Sequence, residues 1–189
     1  MTPFILGLIL FFAIHSVSII NKSWRDQMIE KLGVGPWKGL YAVVSLVGFV
    51  LLVWGYDLAR QGSTVIYFSP GWFRHLTMLL MLPVFPLLLA TYCPGRIKSF
   101  VRHPMLVATI LWAVAHLLVN GRLADLLLFG GFFLWAFLEL ISMNWRSQRP
   151  VPGAPAAKFN DLIALVVGLA LYSLFVVWLH KQLIGVALF

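Results

Sequence analysis

Residues 102–146 read RHPMLVATILWAVAHLLVNGRLADLLLFGGFFLWAFLELISMNWR. Between Pro104 and Met143 the charged side chains are Arg122, Asp125 and Glu139. Two apolar runs, about 104–120 and 123–143, flank Asn120-Gly121-Arg122, which has room only for a tight turn. Each run is near the roughly 20 residues that span about 30 Å of hydrocarbon. The pair reads as an antiparallel hairpin of two transmembrane helices. Pro104 suits the first turn of the first, where its missing donor costs nothing. Asp125 falls in the first turn of the second, where the helix dipole favours an acid.

Four further apolar stretches extend this pattern, at about 3–20, 39–56, 72–91 and 160–179, the last able to run on to Phe189. The chain of 189 residues is 61% hydrophobic and 11% charged. A water-facing domain needs roughly 25% charged residues, so an ordinary soluble fold is excluded. The expectation is an all-α, polytopic membrane helical bundle of about six transmembrane helices, one domain over residues 1–189, with the lipid bilayer as its first partner. The N-terminus has neither a basic n-region nor a small-residue cleavage site, so the first stretch is read as a retained helix. Pro83 and Pro86 should kink the third helix, residues 150–155 (PVPGAP) form a linker, and Asn160 and Asp161 should cap the sixth helix.

The net charge is +8. Without a basic run or basic helix face it does not point to nucleic acid. It fits loops that set orientation and meet anionic headgroups. Lys22, Arg25, Lys31, Lys38, Arg96, Lys98, Arg102, Arg146, Arg149 and Lys158 fall on one side of the six stretches, and Arg60, Arg74, Arg122 and Lys181 on the other. The side with ten should be cytoplasmic, leaving both termini outside. Cys93 is the single cysteine, which excludes an intrachain disulfide framework and a cysteine-based metal cluster.

Depth sorts the five histidines. His75, His103 and His180 fall at helix ends, whereas His15 and His116 lie well inside hydrocarbon, where an ionisable group is costly without a partner. His103 and His116 are separated by about 19.5 Å of helical rise, so they cannot share one metal ion. Two readings of His15 and His116 stand side by side. Each imidazole hydrogen-bonds a neighbouring helix, or the two together ligate a six-coordinate haem iron. Glu139 needs a cationic or hydrogen-bonding partner, for which Arg102, Arg146 or His103 are candidates. Gly130 and Gly131 permit either close helix packing or room for a flat cofactor.

The motifs Arg102-His103-Pro104, Leu111-Trp112, Ala115–Gly121 and Leu128–Gly131 resemble the NnrU family. Phe12-x-x-His15-Ser16 with Arg25 following, and Gly39-Leu40-Tyr41 running through Ser45 to Trp54-Gly55-Tyr56, resemble it too. The resemblance covers residues 1 to about 146. It implies a bacterial inner-membrane protein of denitrification and nitric oxide metabolism, with a redox partner or nitrogen-oxide reductase nearby. A relative of that family, zeta-carotene isomerase, holds haem b between two membrane histidines, and the matching positions here are His15 and His116. The implied site adds Tyr41, Ser45, Gly130 and Gly131 as lining, with Arg25 or Arg102 near the propionates. The family's acidic residue before the basic cluster after helix five is replaced here by Asn144, which bears on activity. Two alternatives follow from the same resemblances: an isomerase of polyene double bonds, and an S-adenosylmethionine-dependent membrane methyltransferase suggested by the Arg102-His103-Pro104 turn. A transporter or assembly role is the non-catalytic alternative.

Overall fold

In lipid every backbone donor and acceptor must be satisfied within the segment, so apolar runs become helices. The computed structural model describes residues 1–146 and 151–188, and its elements follow that rule. In chain order they are α1 (Thr2–Ile20), α2 (Lys22–Leu32), α3 (Val34–Gln61), α4 (Phe73–Met81), α5 (Val84–Tyr92), α6 (Arg96–Val101), α7 (Pro104–Val119), α8 (Leu123–Ser142) and α9 (Asn160–Leu174). A five-residue π-helix, Phe175–Leu179, leads from α9 into α10 (His180–Ile184). Among the described residues five segments are long and apolar enough to cross a membrane: Thr2–Ile20, Val34–Gln61, Phe73–Tyr92, Leu123–Ser142 and Asn160–Ile184. The sixth expected span, α7, is apolar but has 16 residues, about 24 Å of rise. The chain is a multi-pass helical membrane protein.

The described residues form two compact units interleaved in sequence. The first comprises Met1–Phe68 and Asn120–Trp145, and so α1, α2, α3 and α8. Here α1 packs on α3 through glycines. A Cβ on Gly7 would meet the backbone of Leu51 and Leu52, one on Gly48 the backbone of Phe11, and one on Gly55 the backbone of Phe4. Without a hydrophobic drive between helices in lipid, such backbone approach supplies the packing. Polar α2 was not among the apolar runs. It starts at Asn21, whose side chain accepts the Trp24 N–H at 2.9 Å. Lys22 and Asp26 pair one turn apart at 3.0 Å.

Residues 64–67 hold the Asn120–Arg122 turn. Gly121 O accepts from Ile66 N (2.7 Å), Leu123 N donates to Thr64 O (2.9 Å), and the Tyr67 hydroxyl donates to Asn120 O (2.9 Å). Asp125 is 1% exposed and caps α8 as expected, accepting from Arg122 N at 3.0 Å. It also accepts from the Tyr56 hydroxyl at 2.6 Å and faces Arg60 Nε at 3.6 Å. A buried carboxylate is tolerable with such partners.

The second unit comprises Ser69–Val119 and the described residues from Arg146 onward. Its first crossing breaks between α4 and α5 at Leu82-Pro83. Pro83 behaves as expected. Pro86, in the first turn of α5, has no N–H to give Leu82 O, so it contributes to the same break. Gly168 of α9 packs on the backbone of Pro86. Pro104 opens α7, and residues 151–157 have no regular structure, as a linker should; Pro150 lies outside the described residues.

Asn160 and Asp161 correct the expectation that they cap their own helix. Phe159 is the N-cap residue. Asn160 Nδ2 donates to Pro94 O and Pro155 O, both at 2.9 Å. Asp161 accepts from Arg96 N (2.8 Å) and Ile97 N (3.0 Å). The orphan donors it satisfies belong to α6, a helix that the apolar pattern does not reveal.

Candidate functional site

In the first unit a polar cluster forms inside the membrane-spanning segments. His15 sits on α1 with its Nδ1–H donating to Phe11 O at 2.6 Å, one turn back. That bond sets the tautomer, so Nε2 carries the lone pair. Phe11 stacks on the imidazole at 4.1 Å between centroids. Tyr41 of α3 meets it edge-on at 5.3 Å, and Trp135 of α8 at 5.9 Å with an interplanar angle of 88°. Ser45 lies one turn beyond Tyr41 on the same face of α3. Trp135 Nε1 is buried without a hydrogen bond, and Ser45 Oγ, also buried, has the Tyr41 hydroxyl beside it. An orphaned donor such as the Trp135 N–H is expensive in a low-dielectric interior and calls for a ligand or water.

Arg25 extends this cluster toward the end of α1. It is 6% exposed, a burial that arginine reaches with a charge partner, here Asp26. Its guanidinium donates to Ser18 Oγ at 3.3 Å and to Asp26, while its Nε is buried and unpartnered. Ser18 follows His15 by three residues, on the same face of α1. Gly131 packs against the Phe12 ring, so it serves close packing, whereas a side chain at Gly130 would meet nothing within 4 Å. Glu139 accepts from Ser142 Oγ at 3.4 Å.

The second unit holds the other two predicted residues, His116 and Arg102. His116 Nδ1–H donates to Trp112 O at 2.8 Å, the same one-turn bond that His15 makes, and sets the same tautomer. Both Nδ1 bonds thus go to the residue's own helix, not to a neighbouring one. Arg102 has φ 63° and ψ −50°, the one non-glycine residue with positive φ among those described. His103 N donates to Val101 O at 2.7 Å, closing a γ-turn centred on Arg102. This turn form is rare and strained for a residue with a Cβ. Outside the spans, burial lowers the His103 imidazole below its ordinary value, and the charges of Arg102 and Arg146 lower it further.

A family model described as NnrU protein matches residues 3–188. The chain belongs to the NnrU family. The match extends past the 1–146 region carrying the sequence motifs and takes in the linker and α9. No match was found among curated proteins or among solved structures. Among the described residues of this NnrU chain, no three His, Cys, Asp or Glu side chains converge to hold a metal ion. Iron here would need its equatorial ligands from a macrocycle, as haem provides. The donor set fits that group: imidazoles with ordered Nδ1–H bonds are how proteins prepare Nε2 for a metal. Trp135 was missed in the sequence. The available signal was its spacing, one turn after Gly131 on α8.

Proposed function

We propose that this NnrU-family membrane protein binds haem b and serves nitrogen-oxide metabolism; Nε2 of His15 would hold the iron, and the family resemblance names His116 as the other imidazole. The observation that carries the reading is the His15 environment: an imidazole locked by Phe11 O beside a buried Trp135 Nε1 without a hydrogen-bond partner. Haem supplies one-electron chemistry when bound. The protein's part is to hold and orient it. The Phe11 carbonyl keeps the His15 ring in one tautomer, Tyr41 and Trp135 fix its plane, and the buried Arg25 guanidinium offers an unused donor to a propionate carboxylate. Of the two arginines proposed for that role, Arg25 is the one tied through Ser18 to the His15 face. The excess of cations on one side of the spans supports an orientation with both termini periplasmic, and the family resemblance supports a bacterial inner membrane.

The test is the absorbance spectrum of the detergent-purified protein, oxidised and dithionite-reduced, with a pyridine haemochrome assay. A Soret band that His15→Ala and His116→Ala each abolish or shift is the expected result. A colourless protein that takes up no added haem, or wild-type spectra in both variants, overturns it.

A further inference from the structure

Three basic side chains outside the histidine cluster surround a common space. The segments 94–100 and 156–158 line an open groove of about 990 Å³, with Arg96, Lys98 and Lys158 among its lining residues. Among the described residues none of the three is paired with a carboxylate. Lys98 Nζ donates to Thr91 O at 2.7 Å, which steadies the ammonium and leaves it two further N–H groups. The acid at this end of the unit is Asp161, and its oxygens accept from Arg96 N and Ile97 N. The N-terminal donors of α6 are therefore already used, and what the groove offers is side-chain cations.

A second observation sets the depth of the groove. Tyr92 ends one candidate span and Asn160 begins another, so residues 94–100 and 156–158 lie where two spans leave the membrane. Phe100 lines the groove and is 90% exposed, and Phe159, next to Lys158, is 62% exposed. Aromatic rings left open beside cations are a poor surface for water and a good one for the boundary between acyl chains and headgroups. Basic pockets at this level take lipid phosphates.

We propose that this groove is a binding site for the phosphate headgroup of an anionic phospholipid. Arg96, Lys98 and Lys158 face the phosphate oxygens, and Phe100 enters the acyl boundary. A free phosphate ion would use the cations and have no use for the ring. The site is separate from the histidine cluster and does not depend on haem.

The test uses the full-length protein in detergent, with retained phosphatidylglycerol and phosphatidylcholine counted by native mass spectrometry. Arg96→Gln/Lys158→Gln is compared with Lys31→Gln/Lys38→Gln, which removes equal charge from exposed positions on α2 and α3. The expected result is about a tenfold loss of phosphatidylglycerol affinity in the groove variant and under about twofold in the control. Phe100→Ser should weaken lipid retention, and unchanged retention in that variant would remove the ring from the site. Equal loss in the two double variants would show diffuse surface charge and overturn the site. Displacement of the lipid by millimolar inorganic phosphate would also overturn it, in favour of a free anion. Should the double variant elute as aggregate, Lys158→Gln alone, outside any helix, carries the same comparison.

Discussion

The two units handle membrane burial in opposite ways. The first keeps its spans unbroken and buries charge, with Arg25 and Asp125 both inside it. The second breaks its spans, at Leu82-Pro83 and in the Phe175–Leu179 π-helix, and its buried polar residues, Thr91 and Asn160, are neutral. Regular helices leave no backbone group to satisfy, so the first unit can use its polar side chains on one another. Irregular helices expose backbone groups, and the second unit commits side chains to them. Tyr172 Oη donates to Met78 O at 3.0 Å, Thr77 Oγ1 to Ala115 O at 3.0 Å and Asn160 to two proline carbonyls. The first unit pairs Tyr56, Arg60 and Asp125 with one another, while the second sends Tyr172, Thr77 and Asn160 to backbone carbonyls.

The sharpest way to break this contrast is at the α1–α3 contact. Gly55→Leu places a side chain against the Phe4 backbone and should cost about 3 kcal/mol or more in mixed-micelle unfolding followed by tryptophan fluorescence. Gly62→Leu, where an added Cβ meets nothing within 4 Å, should change little. A comparable loss in both would mean that close approach is not what holds the first unit.

The two aspartates come next. Asp125→Ala strips partners from Tyr56 and Arg60 and should lose about 3 kcal/mol, because it leaves buried groups unpaired. Asp161→Ala removes a helix cap in the second unit and should lose about 1 kcal/mol. Equal losses in the same unfolding assay would erase the distinction between buried charge and backbone repair.

A smaller effect of opposite sign is expected at the γ-turn. Arg102→Gly relieves a positive φ and should raise stability by about 1 kcal/mol. A loss of stability instead would assign the Arg102 side chain a structural partner worth more than the strain.

The smallest effect is one of pH. The His103 imidazole is lowered from 6.5 in the folded protein. As pH falls below about 6.5 the unfolded chain therefore takes up the proton first, and stability declines until the folded-state value is passed. Above that window the histidine contributes no slope. His103→Gln should flatten the decline, and an unchanged slope in the variant would place the titration elsewhere.

Much of this architecture is legible in local sequence. Hydropathy locates the long spans, Pro104 and Asp125 mark helix starts, and Pro83 marks a break. The polar helices α2 and α6 escape because hydropathy windows pass over them, although Asn21, the Lys22–Asp26 spacing and Gly33 are the start, pairing and stop signals of α2. The misreading of Asp161 has another origin. An acid in a first turn looks like a cap for its own helix, and nothing local reveals donors 65 residues earlier. Burial of Arg25 and the unpartnered Nε1 of Trp135 are likewise products of tertiary packing. His15 could be singled out by depth alone; its neighbours on α3 and α8 could be assembled only in three dimensions.

The interleaving of the units has a consequence in time. Tyr56 is synthesised 69 residues before the aspartate that receives its hydroxyl. At roughly 10 residues per second of translation, that interval is about 7 seconds. During it, α1, α2 and α3 are made but Arg60 and Tyr56 lack Asp125, and the chain spends the interval making about half of the second unit. The first unit is therefore the earlier to begin and cannot be finished until α8 arrives, so the insertion machinery must shelter a half-built polar cluster while another set of helices passes through.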